Sequence, residues 1–126
     1  RYFFKLLINI FKYINIVVEV LIMIKDMDQL QRQADLLKVI AHPVRLCIVR
    51  GLWRNGCCNV THMQNCLDTP QSTVSQHLSR LRQSGIIEGE RHGLEITYRL
   101  KDERVKKILA SLFGPREGGI EGGALW

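Results

Sequence analysis

The sequence lacks the patterns that identify disulfide-rich domains and enzymes. Its four cysteines follow no regular spacing, which predicts reduced thiols of a cytoplasmic protein and not a disulfide framework. There is no Ser/His/Asp order, phosphate-binding loop or catalytic constellation of paired carboxylates, and Asp102 and Glu103 are adjacent acids suited to the start of a helix. We therefore expect a protein without catalytic activity.

Acidic residues are also absent from one long stretch, between Asp68 and Glu88, in a chain of 126 residues with a net charge of +6. A positive balance favours a polyanionic partner. The stretch begins TPQSTVSQHLSRLRQSG and predicts a helix, with Thr69 as its cap, Pro70 at the first helical position and Gly85 after the last turn. It is the candidate recognition helix of a DNA-binding protein.

The polarity of this predicted helix is divided between two faces. An apolar stripe for packing on a core is formed by Val74, Leu78 and Leu81. Hydroxyl and amide groups near the N-terminus, followed by cations, suit base edges and phosphates. The polar faces carry Gln71, Ser72, Thr73, Ser75, Gln76, His77 and Arg80, which are the candidate DNA contacts. The alternative is a solvated face of an ordinary amphipathic helix.

Residues 1–26 differ from the rest because they contain no Gly, Ala or Pro and are mostly apolar. A membrane anchor formed by residues 1–24 is one interpretation, but Lys5, Lys12 and Glu19 each cost about 3 kcal/mol near a bilayer centre. We therefore expect no membrane partner. Two further readings stay open: translated upstream sequence before a start at Met23 or Met27, and an extra helix at a dimer interface.

A globular domain is predicted over residues 27–113, followed by a flexible Gly-rich tail, 114–126. A first helix begins at Met27, a second at Pro43, and a short third one at Thr61, which forms a capping box with Gln64. Only Asp68 and Thr69 separate the third helix from the recognition helix, as in a helix-turn-helix.

After Gly85 the apolar pattern changes to a period of two and predicts a β-hairpin around His92-Gly93. Such a hairpin is a wing, with Arg91 and His92 at its tip as further DNA contacts. A last helix spans Asp102 to Phe113. The fold class is thus α+β and mainly helical: a winged helix-turn-helix of about five helices and a two-stranded wing.

Three stretches together give this sequence a specific resemblance: LLKVIAHPVRLCIV, NVTHMQNCLDTPQSTVSQHLSRLRQSGII and GLEITYRL. In this order and spacing, the chain resembles the ArsR/SmtB family of bacterial winged-helix repressors. The resemblance implies a cytoplasmic homodimer, joined through the first and last helices of the domain, that binds an operator palindrome in double-stranded DNA. The apolar stripes of those helices predict an interface formed by Leu30, Ala34, Leu37, Val105, Ile108, Leu109 and Leu112.

Many members of that family sense metals, but this sequence lacks a complete set of metal-binding residues at either of the family's sites. The cysteine positions of the arsenic-type site correspond to Asn59, Thr61 and Gln64. In the zinc-type site Asp102 matches, but Arg104 occupies the next ligand position, and a guanidinium cannot ligate a metal. We expect neither metal nor cofactor, as in metal-blind members of the family.

Thiol or metal sensing at different positions remains an alternative. Cys58, His62 and Cys66 are spaced four residues apart, with Cys57 adjacent, and a continuous helix would align their soft ligand atoms. The predicted cap at Thr61 weakens this reading, because it leaves Cys58 outside the helix. The second alternative is a protein-binding winged-helix module that residues 1–24 tether to a membrane.

Overall fold

The computed structural model describes residues 1–116. This part of the chain contains five helices and three strands, in the order α1 (Tyr2–Ile40), α2 (Pro43–Asn55), β1 (Cys58–Asn59), α3 (Val60–Leu67), α4 (Gln71–Gln83), β2 (Ile87–His92), β3 (Glu95–Leu100) and α5 (Glu103–Phe113). The predicted fold class, mainly helical α+β with a wing, is confirmed. Of the tail predicted to be flexible, residues 117–126 lie outside the described residues.

Two compact units make up the chain: Arg1–Leu36, and a second unit that begins at Leu37. Within the first unit α1 begins at Tyr2 and not at Met27, because no Gly or Pro interrupts the sequence before the helix ends at Ile40. Residues 1–32 are all exposed. By length and composition alone, α1 is long and apolar enough to cross a membrane.

Helix α2 begins as Pro43 predicts, because this residue needs no hydrogen-bond partner for its nitrogen in the first turn. The residue before it, His42, is the N-cap: its Nδ1 accepts a hydrogen bond from the Val44 backbone N–H at 3.2 Å. The helix ends at Asn55, and Gly56 follows with a φ of +85°. Both ends of α2 are therefore fixed by local sequence.

The sheet has three antiparallel strands in the order β1-β3-β2 within the described residues, where the sequence predicted a two-stranded hairpin. In the hairpin, Ile87 pairs with Leu100 and His92 pairs with Glu95. The third strand forms because Cys58 pairs with Tyr98 of β3. A strand of two residues is too short to show an alternating pattern, which explains why the sequence did not reveal it.

The core of the second unit lies between α2, α3, α4, α5 and the inner side of the sheet. Its side chains with at most 2 % exposure are Ile48, Val49, Leu52, Met63, Val74, Leu78, Leu81, Ile86, Ile87, Val105 and Leu109. Burying each of these larger apolar side chains contributes about 1.5–3 kcal/mol. This core holds α4 and the wing on one scaffold.

Candidate nucleic-acid interface

Helix α4 is seated on the core by the apolar stripe that the sequence predicted. Val74, Leu78 and Leu81 are at most 1 % exposed. At the C-terminal end Gly85 adopts a φ of +72°, a left-handed conformation that suits glycine, and its N–H donates to the Arg82 carbonyl. The other face of α4 is thereby turned away from the core in one fixed orientation.

The predicted DNA contacts on α4 differ in exposure. The exposed ones are Gln71, Ser72, Ser75, Gln76 and Arg80, whereas Thr73 and His77 are half-buried. The first turn contains no acidic side chain, and the last turn carries Arg80 and Arg82. A helix with neutral hydrogen-bonding groups at its start and cations at its end can present the groups that base edges and phosphates require.

The start of α4 differs from the prediction. The Thr69 hydroxyl donates to the Leu67 carbonyl at 2.9 Å instead of capping α4. Pro70 is the N-cap and makes no side-chain hydrogen bond; its carbonyl accepts from the backbone N–H groups of Thr73 and Val74. The prediction of Thr69 as cap was wrong, because its side chain bonds backward to the preceding helix and tightens the turn.

The start of α3 also differs from the prediction. Asn59, not Thr61, caps α3: its side-chain oxygen accepts from the His62 N–H at 2.8 Å. Asparagine is among the strongest N-cap residues, so the helix starts earlier than the predicted capping box. At the other end Asp68 has a φ of +48°, and its N–H donates to the Gln64 carbonyl. Asp68, Thr69 and Pro70 form the whole connection to α4.

The ring of His77 on the recognition helix contacts a second histidine, His42, at the start of α2. Its ring lies 4.7 Å from the ring of His42, centroid to centroid, with the two planes tilted by 44°. Burial lowers the pKa of His77, and electrostatic interactions with His42 and Arg45 lower it further. At neutral pH the side chain is therefore an uncharged imidazole, with one donor and one acceptor.

The wing places two basic side chains near its tip. Arg91 and His92 are exposed at the end of β2, followed by a turn in which Gly93 has a φ of +65°. His92 lies 3.7 Å from Glu90, whereas Arg91 has no ion pair within residues 1–116. Arg91 is thus available to an external anion.

The predicted ladder of soft ligands is broken at its first member. Cys58 lies in β1 and is buried, while His62 and Cys66 share a face of α3 with Nε2 and Sγ 3.5 Å apart. Burial raises the pKa of the Cys58 thiol to about 11, and Cys66 and Cys57 add to the increase. Among the described residues no three His, Cys, Asp or Glu side chains are grouped to hold a metal ion.

The α5 position that matches a zinc ligand has a structural function instead. Asp102 caps the helix, with its Oδ1 accepting from the backbone N–H groups of Arg104 and Val105 at 2.8 and 3.2 Å. The Arg104 guanidinium also donates to its Oδ2 at 2.7 Å. These bonds, first the one from the Arg104 side chain, lower the pKa of Asp102. Both oxygens of the Asp102 carboxylate therefore already accept hydrogen bonds from α5.

The residues predicted to form a dimer interface fall into two groups. Val105 and Leu109 are fully buried inside the protomer, because the inner side of α5 faces the core. The prediction that Val105 and Leu109 contact a second subunit is therefore corrected, because a partner could reach them only if the core of the protomer opened. Leu30, Leu37 and Leu112 are exposed, at 53 %, 51 % and 60 %, and Ala34 and Ile108 are half-buried.

Two features of this region were not found in the sequence. His42 was not recognised as a cap or as a neighbour of His77, although a polar residue directly before a helix-opening proline is a signal for an N-cap. The other is the contact of Phe113 with Arg50 and Arg54, whose guanidinium carbons lie 5.1 and 5.9 Å from the ring centroid. This contact links α2 to α5, and only the tertiary structure reveals it.

Comparison with known proteins agrees with this geometry. Residues 40–90 match a family of helix-turn-helix domains. The transcriptional repressor PagR of Bacillus anthracis is 43% identical over 83 residues, covering 66% of this chain and 83% of PagR. The repressor SmtB of Mycobacterium tuberculosis is 40% identical over 80 residues, covering 64% of this chain and 58% of SmtB.

Solved structures of repressors have the same fold. The crystal structure of PagR superposes with a TM-score of 0.62 at 42% identity, covering 68% of this chain and 98% of PagR. The transcriptional repressor BigR of Xylella fastidiosa superposes with a TM-score of 0.63 at 36% identity, covering 71% of this chain and 91% of BigR.

Proposed function

Because the chain belongs to the ArsR/SmtB family of winged-helix, DNA-binding repressors, we propose that it represses transcription as a homodimer bound to an operator palindrome in double-stranded DNA. The observation that carries this proposal is the exposed face of α4. Gln71, Ser72, Ser75 and Gln76 project their amide and hydroxyl groups from a helix anchored by a buried stripe. A recognition helix needs this combination of a rigid seat and polar groups that can reach into the major groove.

In this proposal α4 and the wing have different tasks. Gln71 is geometrically suited to a bidentate contact with adenine, which discriminates by about 1–3 kcal/mol against another base. Thr73 and Arg80 contact phosphates or bases beside it. Arg91 and His92 at the wing bind phosphate or a narrow minor groove, since a long flexible cation such as Arg91 contributes affinity there with little base specificity.

The dimer is supported by apolar side chains that the protomer leaves exposed. Within the second unit, Leu37 near the end of α1 and Leu112 near the end of α5 are both more than half exposed. We propose that they pack against a second copy, with Ile108 beside them, and that Leu30 and Ala34 extend the contact. A two-fold dimer presents two copies of α4 to half-sites about one helical turn apart.

The proposal includes no catalytic step, cofactor or membrane. We propose that the protein acts in the cytoplasm, where its target DNA lies. In this proposal no resident metal controls DNA binding. This is consistent with the Asp102 carboxylate, whose oxygens accept hydrogen bonds from the backbone N–H and the guanidinium of Arg104. Control by expression level, by a protein partner or by a small signal fits this reading.

Replacing Gln71 tests the proposal directly. The wild-type protein is used to select a duplex from a randomised library, and salt titrations then measure its affinity for that duplex and for a scrambled one. We expect Gln71→Ala to weaken binding to the selected duplex by about fivefold or more, from the lower end of one base contact, and to leave the scrambled duplex nearly unaffected.

The matched control is Gln83→Ala, which removes the same side chain from the last turn of α4, where it is also exposed. It should leave both affinities unchanged, because the C-terminal end of a recognition helix lies further from the base edges. Equal losses on both duplexes for Gln71→Ala would show that this helix does not read sequence.

A further inference from the structure

Two histidine rings meet where the start of α2 contacts the recognition helix. The His42 ring is fixed on one side, because its Nδ1 accepts a hydrogen bond from the Val44 N–H. An accepting Nδ1 places the proton of the neutral ring on Nε2. The His77 ring lies 4.7 Å away at a tilt of 44° and is half-buried, so its movement is restricted by a side chain that is itself held in place.

The neighbouring charge in this contact is positive. Arg45, one turn into α2, is held by a hydrogen bond from its Nε to the Val39 carbonyl at 2.5 Å. A proton added to His77 would be placed beside this guanidinium and beside His42, which explains part of the lowered pKa of His77. The arrangement thus favours one ring orientation and the uncharged form at the same time.

The charged and titratable groups on the other elements packed against α4 do not contribute to this shift in the pKa of His77, whose causes are burial, His42 and Arg45. On and after α3, and on β2, these groups are His62, Cys66, Asp68, Glu88, Glu90, Arg91 and His92. The pKa of His77 is therefore lowered by burial and by His42 and Arg45 at the start of α2, and no carboxylate within residues 1–116 is among the causes of the shift.

We propose that His42 is a positioning residue for operator recognition. Its ring, which caps the start of α2, holds the ring of His77 in the orientation in which α4 reads a base edge. This inference rests on the proposed reading of DNA by α4 and adds a residue of α2 to it. A neutral, held imidazole offers a directional donor and acceptor to a base and loses little rotamer freedom on binding. A free, charged ring would add attraction to any phosphate, which carries no sequence information.

The contact also gives operator recognition a definite dependence on pH. Protonation of His77 places a positive charge beside the Arg45 guanidinium. Because the pKa of His77 is lowered, this protonation requires a pH below about 6.5, the usual pKa of histidine, and the preference for the operator should decline there. Affinity for a scrambled duplex should hold or increase, because the added charge attracts phosphate.

The substitution His42→Asn tests the inference without removing the cap, since an asparagine side chain also accepts the hydrogen bond at a helix start. With the duplex selected by the wild-type protein, we expect the ratio of selected to scrambled affinity at pH 7.5 to fall about fivefold, the lower end for one base contact. The thermal unfolding midpoint should stay close to that of the wild type. His62→Asn, which removes an imidazole from α3, is the matched control and should leave the ratio unchanged.

Two further measurements separate positioning from a purely structural role. The pKa of His77, followed by NMR, should rise in His42→Asn, because the ring loses burial and the electrostatic interaction with His42, both of which lower its pKa. In a double-mutant cycle with His77→Gln, His42→Asn should have little further effect on the ratio, because its influence passes through His77. The outcomes that overturn the inference are an unchanged pKa and ratio in His42→Asn, and full additivity in the cycle.

Failure of the inference can be told from failure of the proposed function. If Gln71→Ala lowers the preference for the selected duplex but neither histidine substitution does, α4 reads DNA without this pair, and only the inference is wrong. If the wild-type protein shows no preference for any duplex at any pH, both are wrong.

Discussion

Neighbouring residues of one chemical type have different surroundings in this protein, which predicts different reactivity. Cys57 is exposed, whereas Cys58 lies in β1 with 7 % exposure. Burial of Cys58 raises its pKa from 9.0 to about 11, mainly because a thiolate is poorly solvated there. The thiolate is the nucleophile in alkylation and disulfide exchange, so Cys58 is a poor first target for an oxidant. A thiol switch that begins at Cys58 is therefore disfavoured.

Alkylation of the native protein tests this difference. At pH 8, iodoacetamide should modify the exposed Cys57 much faster than Cys58, because burial restricts access to the Cys58 thiol and raises its pKa to about 11. Tandem mass spectrometry of timed digests distinguishes the two adjacent sites. In urea, where the burial is lost, the rates should converge. Comparable rates in the native protein would contradict the burial and protonation described for Cys58.

The same ionisation has a consequence for stability. A thiol whose pKa is higher in the folded state than in the unfolded chain favours the folded state only while it stays protonated. The unfolded chain releases this proton first as the pH rises above 9.0, so the free energy of unfolding should decline between there and about 11. Below that window Cys58 has no effect on the pH dependence.

At the scale of elements, sequence patterns predicted the parts of the fold that local physics determines. The stripe of Val74, Leu78 and Leu81, the proline at the start of α2 and the left-handed Gly85 depend on neighbouring residues alone, and all were found. Strand β1 was missed because it exists only through pairing of Cys58 with Tyr98, a partner distant in sequence.

Competition between nearby residues explains the errors in the caps. Asn59 and Thr61 were both able to start α3, and so were Thr69 and Pro70 for α4; the choice depends on where each chain segment enters the core. The contact of His42 with His77 was invisible for a related reason. It joins residues of two helices whose packing, and not their local sequence, brings the rings together.

The wing is the element whose contribution to DNA binding should be least dependent on sequence. Arg91→Ala should weaken binding to the selected and the scrambled duplex alike, and it should lower the salt slope by about one for one lost phosphate contact. Fluorescence anisotropy titrations at several salt concentrations measure both effects.

The control for Arg91 is Lys107→Ala, which removes an equal charge from the exposed side of α5. Because long-range attraction between exposed charges is screened within about 10 Å at 0.1 M salt, this change should leave the salt slope unaltered. A loss confined to the selected duplex in Arg91→Ala would instead assign base reading to the wing.

For the whole molecule, assembly determines whether two recognition helices can act together. The inner side of α5 packs on the core of the protomer, where Val105 and Leu109 are fully buried. Leu112 on the same helix is 60 % exposed, and Leu37 at the end of α1 is 51 % exposed. A second copy is the partner we propose for these side chains, and a substitution at Leu112 can test it without disturbing the core.

Leu112→Asp should therefore weaken dimerisation and leave the folded protomer intact. Burying one leucine contributes about 1.5–3 kcal/mol, and a two-fold interface contains each residue twice, so the dimer dissociation constant should rise by at least about a hundredfold. Sedimentation velocity over a range of concentrations measures the change, and circular dichroism checks that the helices persist.

Ser111→Asp adds the same charge at the neighbouring exposed position of α5 and should have a much smaller effect. Because a palindrome is bound through both half-sites, Leu112→Asp should also lose affinity for the full operator while a single half-site is bound as before. If Leu112→Asp remained dimeric at the wild-type concentration, the subunits would have to meet through a different surface.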